Sequence, residues 1–282
     1  MSARDPDWLG AARGAVEALR GTLTAAPTTA ERARETGTRG EGGDRTLEID
    51  AAAEAAVFRR LEALHAEGHR FVAISEERGR VDFGFDPEAP LLVVIDPLDG
   101  SRNAKRGLTH HALSLAVADG PTMADVVFGF VHDFGPGEEW TARRGQGAWC
   151  NGVRLDPDVP ERRVGGRLEL VGLESAGSGR VRDAAAALAA TCHHVRALGA
   201  TAVTLCQVAA GRLDGMVTLR RSRAVDVAAG QLVVREGGGV VRFTESAGPL
   251  AAPVDALEPV SLVVAARSEA AADALAAVVR PR

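Results

Sequence analysis

The chain of 282 residues carries 33 Lys and Arg against 38 Asp and Glu, for a formal net charge of -5, with 46% hydrophobic and 25% charged residues. That balance excludes intrinsic disorder and fibrous architecture, and the acidic surplus argues against a nucleic-acid or anionic-membrane partner. Three cysteines (Cys150, Cys192 and Cys206) are too few and too odd in number for a disulfide framework, no apolar run approaches a bilayer span, and the N-terminus is acidic where a signal peptide is basic, so a cytoplasmic protein is expected.

Apolar residues recur at helical spacing over 8–23 and again over 52–64, which predicts two amphipathic helices at the start of the chain. Between them, residues 36–44 are glycine-dense and polar, and are expected to form an irregular loop placed as a lid. Strands are predicted at 71–74, 91–95, 112–117, 126–131 and 139–142, several of them consecutive with no helix between, as in the hairpins of an antiparallel sheet. Beyond about residue 160 strands and helices alternate: strands at 168–172, 194–198 and 215–219, helices at 182–190, 200–210 and 225–236. Strands at 240–243 and 261–265 and a helix at 269–279 complete the chain. With no internal repeat and no low-complexity linker, this predicts two lobes of one compact unit: an antiparallel α+β lobe over 1–160 and an α/β lobe over 161–282.

The stretch from Leu91 to Asn103 holds the most chemistry. An apolar strand runs into Asp96 and Asp99, followed by Gly100-Ser101 and the expected first turn of a helix. An aspartate at a strand end also serves as a turn or cap residue. Here, however, Glu76 and Glu77 end another apolar strand, Asp50 heads a helix, and Asp226 sits at the head of a further helix. Carboxylates gathered at element ends repel one another unless a cation compensates. All-oxygen ligands with no paired His or Cys favour a hard ion such as Mg²⁺ or Mn²⁺. Backbone N–H groups of Gly100 and Ser101 at a helix start would face an anion, and cations beside an anion cradle describe a phosphoryl-transfer site.

These motifs resemble those of the inositol monophosphatase-like family of metal-dependent, lithium-sensitive phosphatases, a group that also includes fructose-1,6-bisphosphatases. The likeness rests on Ser75-Glu76-Glu77, on Asp96-Pro97-Leu98-Asp99-Gly100-Ser101-Arg102-Asn103, and on Asp226-Val227-Ala228-Ala229-Gly230, in family order and covering nearly the whole chain. Residues 141–152 resemble the family's hairpin, and Gly199-Ala200-Thr201 its substrate-side helix start. The resemblance implies a layered αβαβα sandwich and a Mg²⁺-dependent phosphomonoesterase binding two or three ions, commonly as a homodimer. It implies metal ligands Glu76, Asp96, the carbonyl of Leu98, Asp99 and Asp226. It assigns catalysis to Asp50, Ser101 and Glu76, with the Ser101 hydroxyl, paired with Asp50, orienting and helping to deprotonate the attacking water. Gly100, Ser101, Gly199, Ala200 and Thr201 are implied to contact phosphate and substrate.

The sequence departs from the common pattern in one region. Val225 stands where a tryptophan is common, as in archaeal-type members, and no glutamate precedes Asp226 at the position that contacts inositol in animal members. Arg220, Arg221 and Arg223 stand there instead, and would either read a second phosphate or form a solvated basic loop. The expected substrate is a small sugar or polyol phosphate such as inositol monophosphate. The alternatives are fructose 1,6-bisphosphate, a nucleotide such as phosphoadenosine phosphate or NADP, and a non-catalytic protein that only binds a phosphate ester. His110-His111 and Cys192-His193-His194 lack a second pair at ligand spacing and are read as surface or packing residues, and Cys206 as core.

Overall fold

The computed structural model describes residues 6–39 and 45–279. The chain opens with α1 (Trp8–Ala25), a single turn α2 (Thr29–Arg32), a hairpin of β1 (Glu35–Arg39) and β2 (Arg45–Leu47), and α3 (Glu48–Ala66). Then come β3 (Phe71–Ser75), β4 (Gly79–Phe83), β5 (Leu92–Asp99), the short α4 (Ser101–Arg106), β6 (Ala112–Ala118), β7 (Val126–Asp133), β8 (Glu138–Arg143), β9 (Gly147–Cys150) and β10 (Val153–Arg154). The second half runs β11 (Arg163–Val164), β12 (Arg167–Glu174), α5 (Ser178–Thr191), β13 (Cys192–Arg196), α6 (Thr201–Ala209), β14 (Gly215–Thr218), α7 (Ala224–Glu236), β15 (Val240–Phe243), β16 (Val263–Ala266) and α8 (Glu269–Val279).

Two sheets result. The first has eight strands in the order β10-β9-β8-β7-β6-β5-β3-β4 and is antiparallel except for the parallel pair β3 and β5. The second joins β11, β12, β14, β16 and β15, with β13 parallel to β12 at an edge. Helices α1 and α3 cover one face of the first sheet through Trp8, Leu19, Phe58 and Leu61, which meet Phe71, Ile95, Phe128 and Phe130. Helices α6 and α7 fill the space between the sheets, so nearly every side chain on them is buried. A helix apolar on all sides is stable only in such a middle layer. Helices α5 and α8 cover the far face of the second sheet through Ala184, Leu188, Ala272 and Leu275. The layers therefore run αβαβα, as the sequence implied. No helix among the described residues is long and apolar enough to cross a membrane.

Three boundaries near the site differ from expectation. Residues 36–39 are not irregular but belong to β1, paired antiparallel with β2; the threonines at 36 and 38 suit extended backbone, and residues 40–44 of the expected loop lie outside the described residues. Helix α3 begins at Glu48, so Asp50 stands inside its first turn, where acidic side chains are favoured by the exposed N–H groups. Strand β5 continues past Ile95 through Asp99, with a register shift between Asp96 and Asp99 against β6. Pro97 has no N–H to give the ladder, and the shift accommodates it.

Candidate active site

The carboxylates are brought together by strand register. Parallel strands β3 and β5 place Ser75 opposite Ile95, so the next residue along each, Glu76 and Asp96, emerge side by side at the same sheet edge. Asp226 arrives from the first turn of α7, in the layer above. Glu76, Asp96 and Asp226 each offer an oxygen within 4.8 Å of the others, the only such metal-competent group among the described residues. Asp96 and Asp99 are only 5% and 7% exposed.

Burial of unscreened carboxylates sets the electrostatics. Desolvation holds the Asp96 carboxyl well above the usual range, and Glu76, Asp99 and Asp226 push it further in the same direction. Asp99 is raised well above its ordinary value by burial and by Asp226, against the lowering effect of the α6 amides; the Ala202 N–H donates to Asp99 Oδ2 at 2.7 Å. Burial also raises Glu76, while Arg223 opposes the rise. The Leu98 N–H donates to Asp96 Oδ1 at 2.9 Å and fixes that side chain's rotamer. A crowded, carboxylate-only donor set with raised proton affinity is the chemistry a hard divalent cation satisfies.

Beside this cluster lies a cavity of about 200 Å³, lined on its acidic side by Glu35, Asp50, Glu76, Glu77 and Asp96 and elsewhere by Pro97, Leu98, Ser101, Arg102 and Lys105. Ser101 reaches it from the start of α4, preceded by Gly100 at φ 81°. A Cβ at Gly100 would stand 2.8 Å from the His110 carbonyl and 3.1 Å from that of Gly199, so the tight turn into α4 requires glycine.

The turn before α6 is braced against this one. Asn103 Nδ2 donates to the carbonyls of His110 at 2.9 Å and Leu198 at 2.7 Å. From the other side, Glu174 Oε1, buried at the end of β12, accepts from the N–H groups of Leu198 and Gly199 at 3.1 and 3.2 Å and from Thr204 Oγ1 at 2.7 Å. Gly199, Ala200 and Thr201 thus form a fixed turn that delivers the α6 amides to Asp99.

Of the residues singled out from sequence, the structure gathers Asp50, Glu76, Asp96, Leu98 and Ser101 around one cavity and sets Asp226 against two of them. Asp99 and the Gly199–Thr201 turn lie alongside, joined through the Ala202 amide. Arg220 is exposed on the surface, and Arg221 is held by Glu245 through two bonds of 2.9 and 3.1 Å. Arg223 is placed differently: its guanidinium donates to Glu76 Oε1 at 2.5 Å and lies 3.4 Å from Asp226 Oδ1. Sequence reasoning missed Glu35, Glu54, Glu174 and this role of Arg223. Two of the four carry a local signal, Glu54 four residues after Asp50 on one helix face and Arg223 three before Asp226 in one turn; Glu35 and Glu174 carry none. Among the histidines, His110 pairs with buried Asp133 at 2.8 Å and His111 stacks on Phe134, both structural arrangements.

The sequence profile of the inositol monophosphatase family matches residues 8–281. A fructose-1,6-bisphosphatase/inositol-1-monophosphatase of Thermococcus kodakarensis is 38% identical over 71% of this chain and 70% of its own. One of the same description from Methanothermobacter thermautotrophicus is 32% identical over 82% of each chain. The crystal structure of the extragenic suppressor protein suhB from Bartonella henselae superposes with a TM-score of 0.74, at 27% identity and covering 96% of both chains.

Proposed function

The chain belongs to the inositol monophosphatase family and is a phosphoric monoester hydrolase; from that premise we propose that it hydrolyses a small sugar or polyol phosphate of the inositol monophosphate kind with Mg²⁺ as its ion. Glu76, Asp96, Asp99, Asp226 and the carbonyl of Leu98 would hold two or three ions, and Mn²⁺ suits the same oxygen donors. Bound there, divalent cations offset the charge of the phosphate and of the departing alkoxide and lower the pKa of the attacking water. The Ser101 hydroxyl, paired with Asp50 on the same cavity, would orient that water and relay its proton to the Asp50 carboxylate. Amides of Gly100 and Ser101 hold phosphate oxygens, and the turn Gly199-Ala200-Thr201 faces the leaving group. A cytoplasmic homodimer completes the proposal, on the family likeness and the acidic, cysteine-poor composition.

The observation that carries this reading is the convergence of Glu76, Asp96 and Asp226 within 4.8 Å beside a cavity that also receives Asp50 and Ser101. Fructose 1,6-bisphosphate is the second reading, favoured by the 38% identity to a relative that carries both names. The test is phosphate release from inositol 1-phosphate, fructose 1,6-bisphosphate, phosphoadenosine phosphate and NADP, each with Mg²⁺ and with EDTA. The expected result is EDTA-sensitive release, strongest from inositol 1-phosphate. A winning nucleotide ester would overturn the substrate class, and silence across the panel would overturn the hydrolytic reading of this site.

A further inference from the structure

Arg223 crosses the boundary between the two halves of the site. As the residue that caps the start of α7 it would ordinarily pair only with Asp226, three positions on. Its stronger bond instead reaches Glu76, 147 residues away at the end of β3, at 2.5 Å. The three side chains are 20%, 18% and 16% exposed for Arg223, Asp226 and Glu76, so the contact is shielded from water. Glu76 and Asp226 are two of the three carboxylates that converge within 4.8 Å. One guanidinium lies against Glu76 and Asp226, with Asp96 within 4.8 Å of both, and Asp99 adds a fourth negative charge beside Asp96. The guanidinium offsets part of their repulsion, and it does so by holding oxygens that a divalent cation would also need. Two divalent ions would neutralise the four carboxylates without help, leaving the guanidinium in electrostatic excess among them.

Resting on the metal-dependent reading above, we propose that Arg223 is a built-in counter-cation of the metal site. It clasps Glu76 and Asp226 together in the metal-free protein and gives them up when a divalent cation binds. It therefore lowers the affinity for metal while keeping the ligand set assembled without it. Arg rather than Lys suits this role because its planar fork donates to two carboxylates at once.

The test uses the full chain, Mn²⁺ as the probe, and two variants. Titration calorimetry gives the Mn²⁺ dissociation constant, and thermal melts are recorded in EDTA and in excess Mn²⁺. In Arg223→Met, competition is gone and the carboxylates repel unopposed. Its melt in EDTA is expected several degrees below the parent's, and its Mn²⁺ affinity about tenfold tighter, the scale set by removing a competing, part-buried ion pair. Arg223→Lys keeps the charge without the fork, so its EDTA melt stays nearer the parent's and its affinity rises less; it decides the matter if Arg223→Met does not fold. Unchanged or weaker Mn²⁺ binding in the variants, with the parent binding normally, overturns the role given to Arg223 and leaves the metal-dependent reading intact. A parent that binds no Mn²⁺ overturns both.

Discussion

Glu54 stands one helical turn beyond Asp50 on α3, and both side chains leave the helix toward the end of β3. It is 2% exposed, accepts the Ser75 hydroxyl at 2.6 Å through Oε2, and its Oε1 has no hydrogen-bond partner. Burial accordingly raises its carboxyl from 4.5 to about 7, despite Ser75 and nearby Arg78. Between pH 4.5 and pH 7 the unfolded chain has released this proton while the folded one keeps it, so the contribution to stability is full below 4.5 and is lost as the pH rises through about 7. Glu54→Gln keeps an acceptor for Ser75 and removes the titration. Its unfolding free energy relative to the parent is expected to grow by up to about 3 kcal/mol across that window, read by denaturant unfolding at a series of pH values. A constant difference would mean that Glu54 is already ionised in the fold. The sequence shows Glu54 on the helix face of Asp50 but not its burial or its raised proton affinity. Its burial depends on Ser75, brought against it by the packing of α3 on β3.

Among the elements, α6 and α7 were the most legible, because a run of small and apolar residues with no polar face has to be buried. How close they lie was not. Gly230 on α7 has no room for a side chain: a Cβ there would sit 2.8 Å from Leu205 Cβ on α6 and 3.2 Å from the Ala202 carbonyl. The two helices carry Asp226 and the amide that holds Asp99, so their spacing sets the spacing of those two acids. Gly230→Ala is expected to force them apart and to cost about 1–3 kcal/mol, seen as a lower melting temperature. An unaltered melt would mean the layer is looser than these distances imply. Strand β5 was legible as an apolar run but not in its extent, since Asp-Pro-Leu-Asp reads as a turn in isolation and only pairing with β6 keeps it extended. For β1, threonine-based extension competes with glycine-rich context, and the context misled.

The five-layer sandwich explains why the site lies where it does. The ends of β3 and β5 and the first turn of α3 open toward one cavity, and Asp226 from the first turn of α7 comes within 4.8 Å of Glu76 and Asp96 beside it, so acids far apart in the sequence meet. The motifs at Glu76, Asp96 and Asp226 made that convergence readable beforehand, since each carries the family's pattern. The bracing by Glu174 and the reach of Arg223 to Glu76 were not, because each joins one segment to another further along the chain. The most direct test of the whole account is phosphate release by Asp96→Asn beside the parent, with Mg²⁺ and with EDTA, once circular dichroism confirms that both are folded. A loss of at least about 10²-fold is expected in the variant, with an equal collapse of the parent in EDTA, the scale of removing a group that stabilises transition-state charge. Full turnover by Asp96→Asn, or parent activity that survives EDTA, would contradict the account.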